Sequence, residues 1–172
     1  MVDAAVVIPA AGYGSAFPVI YDNITNQGLF GSGTDIAFKS TVDFGVSAAN
    51  AGIWEIRAGV DFGLGGALFV DGVARDFNSN DMWWNGSYAN STQFLTITLN
   101  LAAGNHTLNL YGLEHCCDGP QQAQFRFSNS EFETFSTRDN LAPVPEPESY
   151  VLLLTGRGVM GAIARRRKTV QK

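Results

Sequence analysis

Between Ile36 and Phe127 apolar side chains recur at every second position in several separate runs, and a chain written this way can bury them only by laying one face of a β-strand on a core. The plainest case is Trp54, Ile56, Ala58 and Val60, alternating with Glu55, Arg57, Gly59 and Asp61. From Ile36 to Val46, Phe38, Val42, Phe44 and Val46 hold the even positions, and Leu95, Ile97, Leu99 and Leu101 alternate with Thr96, Thr98 and Asn100. His106 to Tyr111 alternates again, Gln124 to Phe127 reads as a strand, and Ala67 to Val70 reads as a buried one.

Turn chemistry separates these runs. Ala48 to Gly52 and Phe62 to Gly66 are glycine-bearing turns, and Asp71-Gly72 is a hairpin signal. Ala102 to Asn105 is expected to close an antiparallel hairpin between the two leucine-rich strands. Asp76 to Thr92 reads as a long polar loop carrying Met82, Trp83, Trp84 and Tyr88, and residues 12 to 34 read as irregular structure or short strands. Phe132 and Phe135 are placed to close the core. The expectation is an all-β domain over residues 15–137, an antiparallel two-sheet sandwich of jelly-roll type, with a linker over 138–143.

Charge is divided unevenly. Of the 16 acidic and 11 basic residues, 14 and 5 fall before Val144, so the body is net −9 and the tail +4. An acidic body argues against nucleic acid as a partner, because phosphates need Lys or Arg.

The tail has three parts in a fixed order. Pro145-Glu146-Pro147 is stiff and extended, Tyr150 to Ala164 is apolar or small apart from Thr155 and Arg157, and Arg165, Arg166, Arg167 and Lys168 follow directly. A basic cluster behind an apolar segment stays cytoplasmic, so the body is expected to face outwards. Val144, Pro145, Glu146, Pro147 and the four basic residues resemble the PEP-CTERM sorting signal, the substrate tag of exosortases in bacteria that make extracellular polysaccharide. The resemblance implies export from a Gram-negative-type bacterium, transient inner-membrane anchoring by a hydrophobic C-terminal helix over 144–172, cleavage by exosortase near Pro145 to Pro147, and release to the cell surface or matrix. Arg157 departs from that pattern at an insertion cost of roughly 2.5–3.5 kcal/mol, so weak or lost anchoring is expected. Residues 1–14, with an apolar run from Ala4 to Ala11, read as the remnant of a signal peptide whose start lies upstream, the alternative being that the tail signal is a relic.

The body carries a second likeness. A Trp strand, then DFGLGGALFVDG, then LAAGNHTLNLYGLEHCCDG resembles, from Ile53 to Phe135, the lectin-like β-sandwich of the anthrax protective-antigen type. In that family an acidic pair at the first of these turns holds calcium, which bridges sugar hydroxyls in the adhesin branch. Here Asp61 matches the first acid and Phe62 replaces the second. The Cys-Cys-Asp-Gly run together with the tail also resembles a small group of exported proteins known by a Cys-Cys-X-Gly motif.

Cys116 and Cys117 are the only cysteines. Outside the cell they are expected to oxidise to a vicinal disulfide, a ring that clamps the Glu114 to Gly119 loop and presents Glu114, His115 and Asp118. Calcium, a hard cation that takes several oxygen ligands from loops, has Asp61, Asp71, Glu114 and Asp118 as candidates. A structural clamp in a turn is an equal alternative for that loop. Trp83, Trp84, Tyr88 and His115 are the candidate sugar contacts, with one of the two tryptophans expected to plug the sandwich while its neighbour points outwards. Zinc lacks spaced ligands, His106 and His115 have no triad partners, and Glu131 with Glu133 are merely two positions apart on a strand. The expected function is therefore non-enzymatic: an exported surface or matrix protein binding carbohydrate or calcium within an exopolysaccharide. A structural matrix component without a ligand is the alternative, and a polysaccharide-acting enzyme comes third.

Overall fold

The computed structural model describes residues 14–139. The signal-peptide remnant and the sorting motif, Val144 to Lys168, lie outside the described residues.

Ten strands follow the alternation: β1 (Ile36–Val46), β2 (Gly52–Gly59), β3 (Asp61–Phe62), β4 (Gly66–Val70), β5 (Val73–Asn78), β6 (Met82–Trp83), β7 (Phe94–Leu101), β8 (Gly104–Glu114), β9 (Gln122–Phe127) and β10 (Glu133–Thr134). They form two four-stranded sheets, ordered β1-β8-β4-β5 and β10-β9-β2-β7, with a small β3-β6 ribbon at one end. Every pairing is antiparallel. The expected all-β sandwich is what forms.

Its core is the sum of the inward faces. Phe44, Val46, Leu68, Val70, Leu108 and Leu110 from one sheet meet Trp54, Ile56, Ala58, Leu95, Leu101, Ala123 and Phe125 from the other, all buried. Each large apolar side chain so enclosed contributes roughly 1.5–3 kcal/mol relative to exposure. Trp54 stacks on Phe125 at 5.0 Å within its own sheet and meets Phe44 of the facing sheet at 5.7 Å, while its indole N–H donates to the Asn50 carbonyl at 2.8 Å. The Asp71-Gly72 hairpin forms as expected, both residues taking positive φ, 52° and 74°.

Five expectations are corrected. β7 and β8 do not pair with each other: β7 pairs with β2, β8 pairs with β1 and β4, and the chain arches from one sheet to the other at Ala102 and Ala103. Alternating leucines point into the core in a hairpin and in an arch alike, so periodicity does not separate the two. Ala67 to Val70 is buried on one face only, since Phe69 packs edge-on against Tyr111 outside the core at 5.1 Å. The polar loop begins later than Asp76, because β5 runs to Asn78. Residues 12–34 contain a short helix, α1 (Asn26–Phe30), started by Thr25, whose side chain accepts from the Gly28 N–H, and stopped by Gly31 at φ 71°. Of the two closing phenylalanines, Phe135 is fully buried, whereas Phe132 lies outside the core over the Arg57 guanidinium at 3.5 Å.

Candidate functional site

The β3-β6 ribbon determines the geometry of one end of the sandwich. It sets Asp61 opposite Trp83 and Phe62 opposite Met82, and the Trp84 N–H donates to the Val60 carbonyl at 3.1 Å. Successive residues of an extended chain face opposite ways, so Met82 and Trp84 go inwards and Trp83 goes out. Met82 is fully buried, Trp84 is 3% exposed, and Trp83 is 66% exposed. Trp84 lies so close over Gly59 that a Cβ there would fall 2.3 Å from the indole, which explains the glycine. Tyr88 supports the same plug at 5.3 Å from Trp84, with its hydroxyl accepting from the Gly59 N–H and donating to the Gln122 carbonyl at 3.2 Å. The Arg57 guanidinium covers the Tyr88 ring at 3.8 Å.

Trp83 is thus an exposed ring on a fixed backbone. Its N–H donates to the Gln93 side-chain oxygen, and Gln93 closes a short 3-10 turn, Ser91–Gln93, capped by Asn90. Around the indole lies a cavity of about 500 Å³, lined also by Asp81, Asn85, Ser87, Asn90 and Gln93, a size ordinary for a small-molecule site. An aromatic face among amides, a hydroxyl and a carboxylate can stack on a sugar ring and hydrogen-bond its hydroxyls.

On the other side of Asp61 lies the cysteine loop. Cys116 and Cys117 are bridged, S–S 2.08 Å, and both are exposed. Glu114, expected to be displayed by this loop, is instead the buried last residue of β8, because its carboxylate is needed inside: Oε2 accepts from the Gly63 N–H at 2.6 Å and Oε1 from the Cys116 N–H at 2.8 Å. Asp118 accepts from the Asn26 side-chain amide and the Gln27 N–H, both at 2.8 Å, and so ties α1 to the loop. His115 stays at the surface, its Nδ1 2.6 Å from Asp35. Asp61 is 4% exposed, one of its oxygens has no hydrogen-bond partner, and Gly119 packs against that oxygen. Burial first, then the neighbouring charges of Glu114, Asp118 and Asp81, push the Asp61 carboxyl up to about 7.

The candidate residues therefore divide. Asp61, Glu114 and Asp118 converge, with Trp83 on the next strand. Asp71 does not join them: it sits in the β4-β5 turn, bound to His106 Nδ1 at 2.8 Å and the Thr107 N–H at 3.0 Å. Val70 pairs with Leu108, and from there to Glu114 is about 20 Å along β8. The unpartnered Asp61 oxygen would suit a cation, but Glu114 and Asp118 already serve backbone and side-chain amides. Among the described residues no three His, Cys, Asp or Glu side chains stand so as to hold a metal ion. The residues present do not fit a calcium cage.

Asp81, Asn85, Ser87, Asn90 and Gln93 escaped the sequence reading. Two signals could have found them: four of the five fall in the Asp76 to Thr92 loop, and Asp81 and Trp83 flank Met82, the alternation that puts both on one face.

The molecule is in class an exported antiparallel β-sandwich with a C-terminal sorting tail. Residues 143–168 match the PEP-CTERM protein-sorting motif, which marks an exported chain processed by exosortase through a membrane-associated C-terminal segment. Among solved structures the chain is similar to a PA14 sugar-binding domain from an RTX adhesin, at 18% identity and a TM-score of 0.45, covering 62% of this chain and 54% of that one. The chain thus spans about half the length of that structure. No curated protein sequence matches it.

Proposed function

We propose that the protein is a non-catalytic carbohydrate-binding module, delivered by its sorting tail to the cell surface or the surrounding polysaccharide matrix, and that Trp83 and its pocket are the binding site. The observation that carries this reading is a tryptophan two-thirds exposed at the wall of a polar cavity, on a backbone fixed by the β3-β6 ribbon and by Gln93. A ring held this way loses little freedom on contact with a sugar, so its apolar area is available for affinity. The amides and Asp81 around it supply donors and acceptors for ring hydroxyls. No cation is needed to bridge ligand and protein in this arrangement.

Affinity electrophoresis of the full chain in gels containing the exopolysaccharide of the producing bacterium tests it. Retardation should appear, and Trp83→Ala should weaken it roughly tenfold or more while leaving the melting temperature unchanged. Equal retardation of the two proteins would remove the site.

A further inference from the structure

The pocket also carries information about which sugar it takes, an inference that rests on the carbohydrate reading. Asp81 is the one formally charged residue among those lining the cavity. It has no hydrogen bond or ion pair with any described residue, whereas Ser87, Asn90 and Gln93 are partly committed. Asn90 Oδ1 accepts from the Thr92 N–H at 3.2 Å and its hydroxyl at 2.9 Å, Gln93 Oε1 accepts from the Trp83 N–H, and the Ser87 hydroxyl oxygen accepts from the Ala89 N–H at 3.3 Å. The strongest uncommitted acceptor of the site is therefore an anion. It stands two residues from Trp83, on the same side of the chain and opposite the buried Met82.

A carboxylate and an indole face share one preference. The carboxylate attracts positive charge by Coulomb's law, and the ring face does so through its quadrupole. Asp81 is also close enough to act electrically on Asp61, across the ribbon from Trp83. Uronate or sulfate groups would meet this field with no Lys or Arg among the lining residues to receive them.

We propose that the Trp83 pocket selects an amino sugar with a free, protonated amine, its ammonium seated between the Asp81 carboxylate and the Trp83 ring, and that it rejects acidic sugars. The ligand class is then a polysaccharide containing de-N-acetylated hexosamine.

Titration calorimetry of the full chain with glucosamine oligomers, the same oligomers N-acetylated, and oligogalacturonate tests this. The free-amine oligomer should bind roughly three- to tenfold more tightly than the acetylated one, the size expected for an exposed charge pair combined with a cation-π contact. Asp81→Asn should erase that difference, and oligogalacturonate should not bind. Equal affinity for both forms, with Trp83→Ala abolishing both, would overturn the amine assignment and leave the carbohydrate reading intact. Free-amine binding that Asp81→Asn leaves unchanged would mean general attraction to an acidic protein, and would also overturn it. If no glucosamine oligomer binds while the native polysaccharide is retained through Trp83, the amine assignment falls alone. Loss of retention as well would take the parent reading with it.

Discussion

Replacing Asp61 with Asn should make the protein more stable, by an amount that grows from about pH 4 and is complete above about pH 7. Asp61 is raised from 3.8 to about 7 by burial and by the charges of Glu114, Asp118 and Asp81. Below about pH 4 the folded and unfolded chains both hold the proton. Between about pH 4 and 7 the unfolded chain releases it while the folded chain keeps it, so stability falls as pH rises; above about 7 the loss is complete and the curve is flat. At about 1.4 kcal/mol per pKa unit the full shift is worth at most roughly 4 kcal/mol, and solvent screening at this loop-lined end of the sandwich reduces that to roughly 2. Asp61→Asn keeps the shape and removes the titration. Urea melts of both proteins at pH 4.5 and pH 8 should therefore agree within about 0.5 kcal/mol at the lower pH and differ by roughly 2 kcal/mol, in favour of the variant, at the higher. Parallel wild-type and variant curves across this range would refute the account. A variant less stable than wild type at pH 8 would mean that the ionised carboxylate has a partner, such as a bound cation.

The buried carboxylate of Glu114 is expected to behave in the opposite way. Glu114→Ala strands the Gly63 and Cys116 N–H groups and should cost about 2–4 kcal/mol by urea melt, against little change if that carboxylate were solvated. Millimolar calcium, or its removal by chelator, should leave the melting temperature within about one degree; a cation present at 100 times its Kd would add about 2.7 kcal/mol, and a rise of several degrees would show that a cage does assemble.

Most of the sandwich was legible because a half-buried strand prints its burial directly into the sequence. Trp54, Ile56 and Ala58 face inwards as their alternation requires, and β1 keeps the bounds read for it. What alternation does not encode is which strand lies beside which. Leu101 and Leu108 would both be buried whether Ala102 and Ala103 closed a hairpin or carried the chain over the core, and only the pairing of β7 with β2 and of β8 with β1 decides it. The helix at Asn26–Phe30 was missed for another reason. Five residues carry too little period to register, and its start depends on Asp118, some ninety positions away, receiving the Gln27 N–H.

The candidate site shows the same boundary between local and non-local information. That one of the adjacent tryptophans would plug the sandwich and its neighbour face water follows from extended geometry alone, and the chain obeys it at Trp84 and Trp83. That the aromatic loop and the cysteine loop share a centre does not follow, since they meet only at Asp61, which β3 sets opposite Trp83 of β6 and on which Gly119 packs. Asp61 thus stands between two loops that were read as separate. Its raised carboxyl comes from enclosure among other acids, and three of those acids, Glu114, Asp118 and Asp81, differ in what they face. Glu114 and Asp118 are occupied by amide hydrogens of the fold, whereas Asp81 lines the cavity beside Trp83 and bonds to no described residue. Two of these acids therefore hold the loops in place, and the third lines the wall of the pocket.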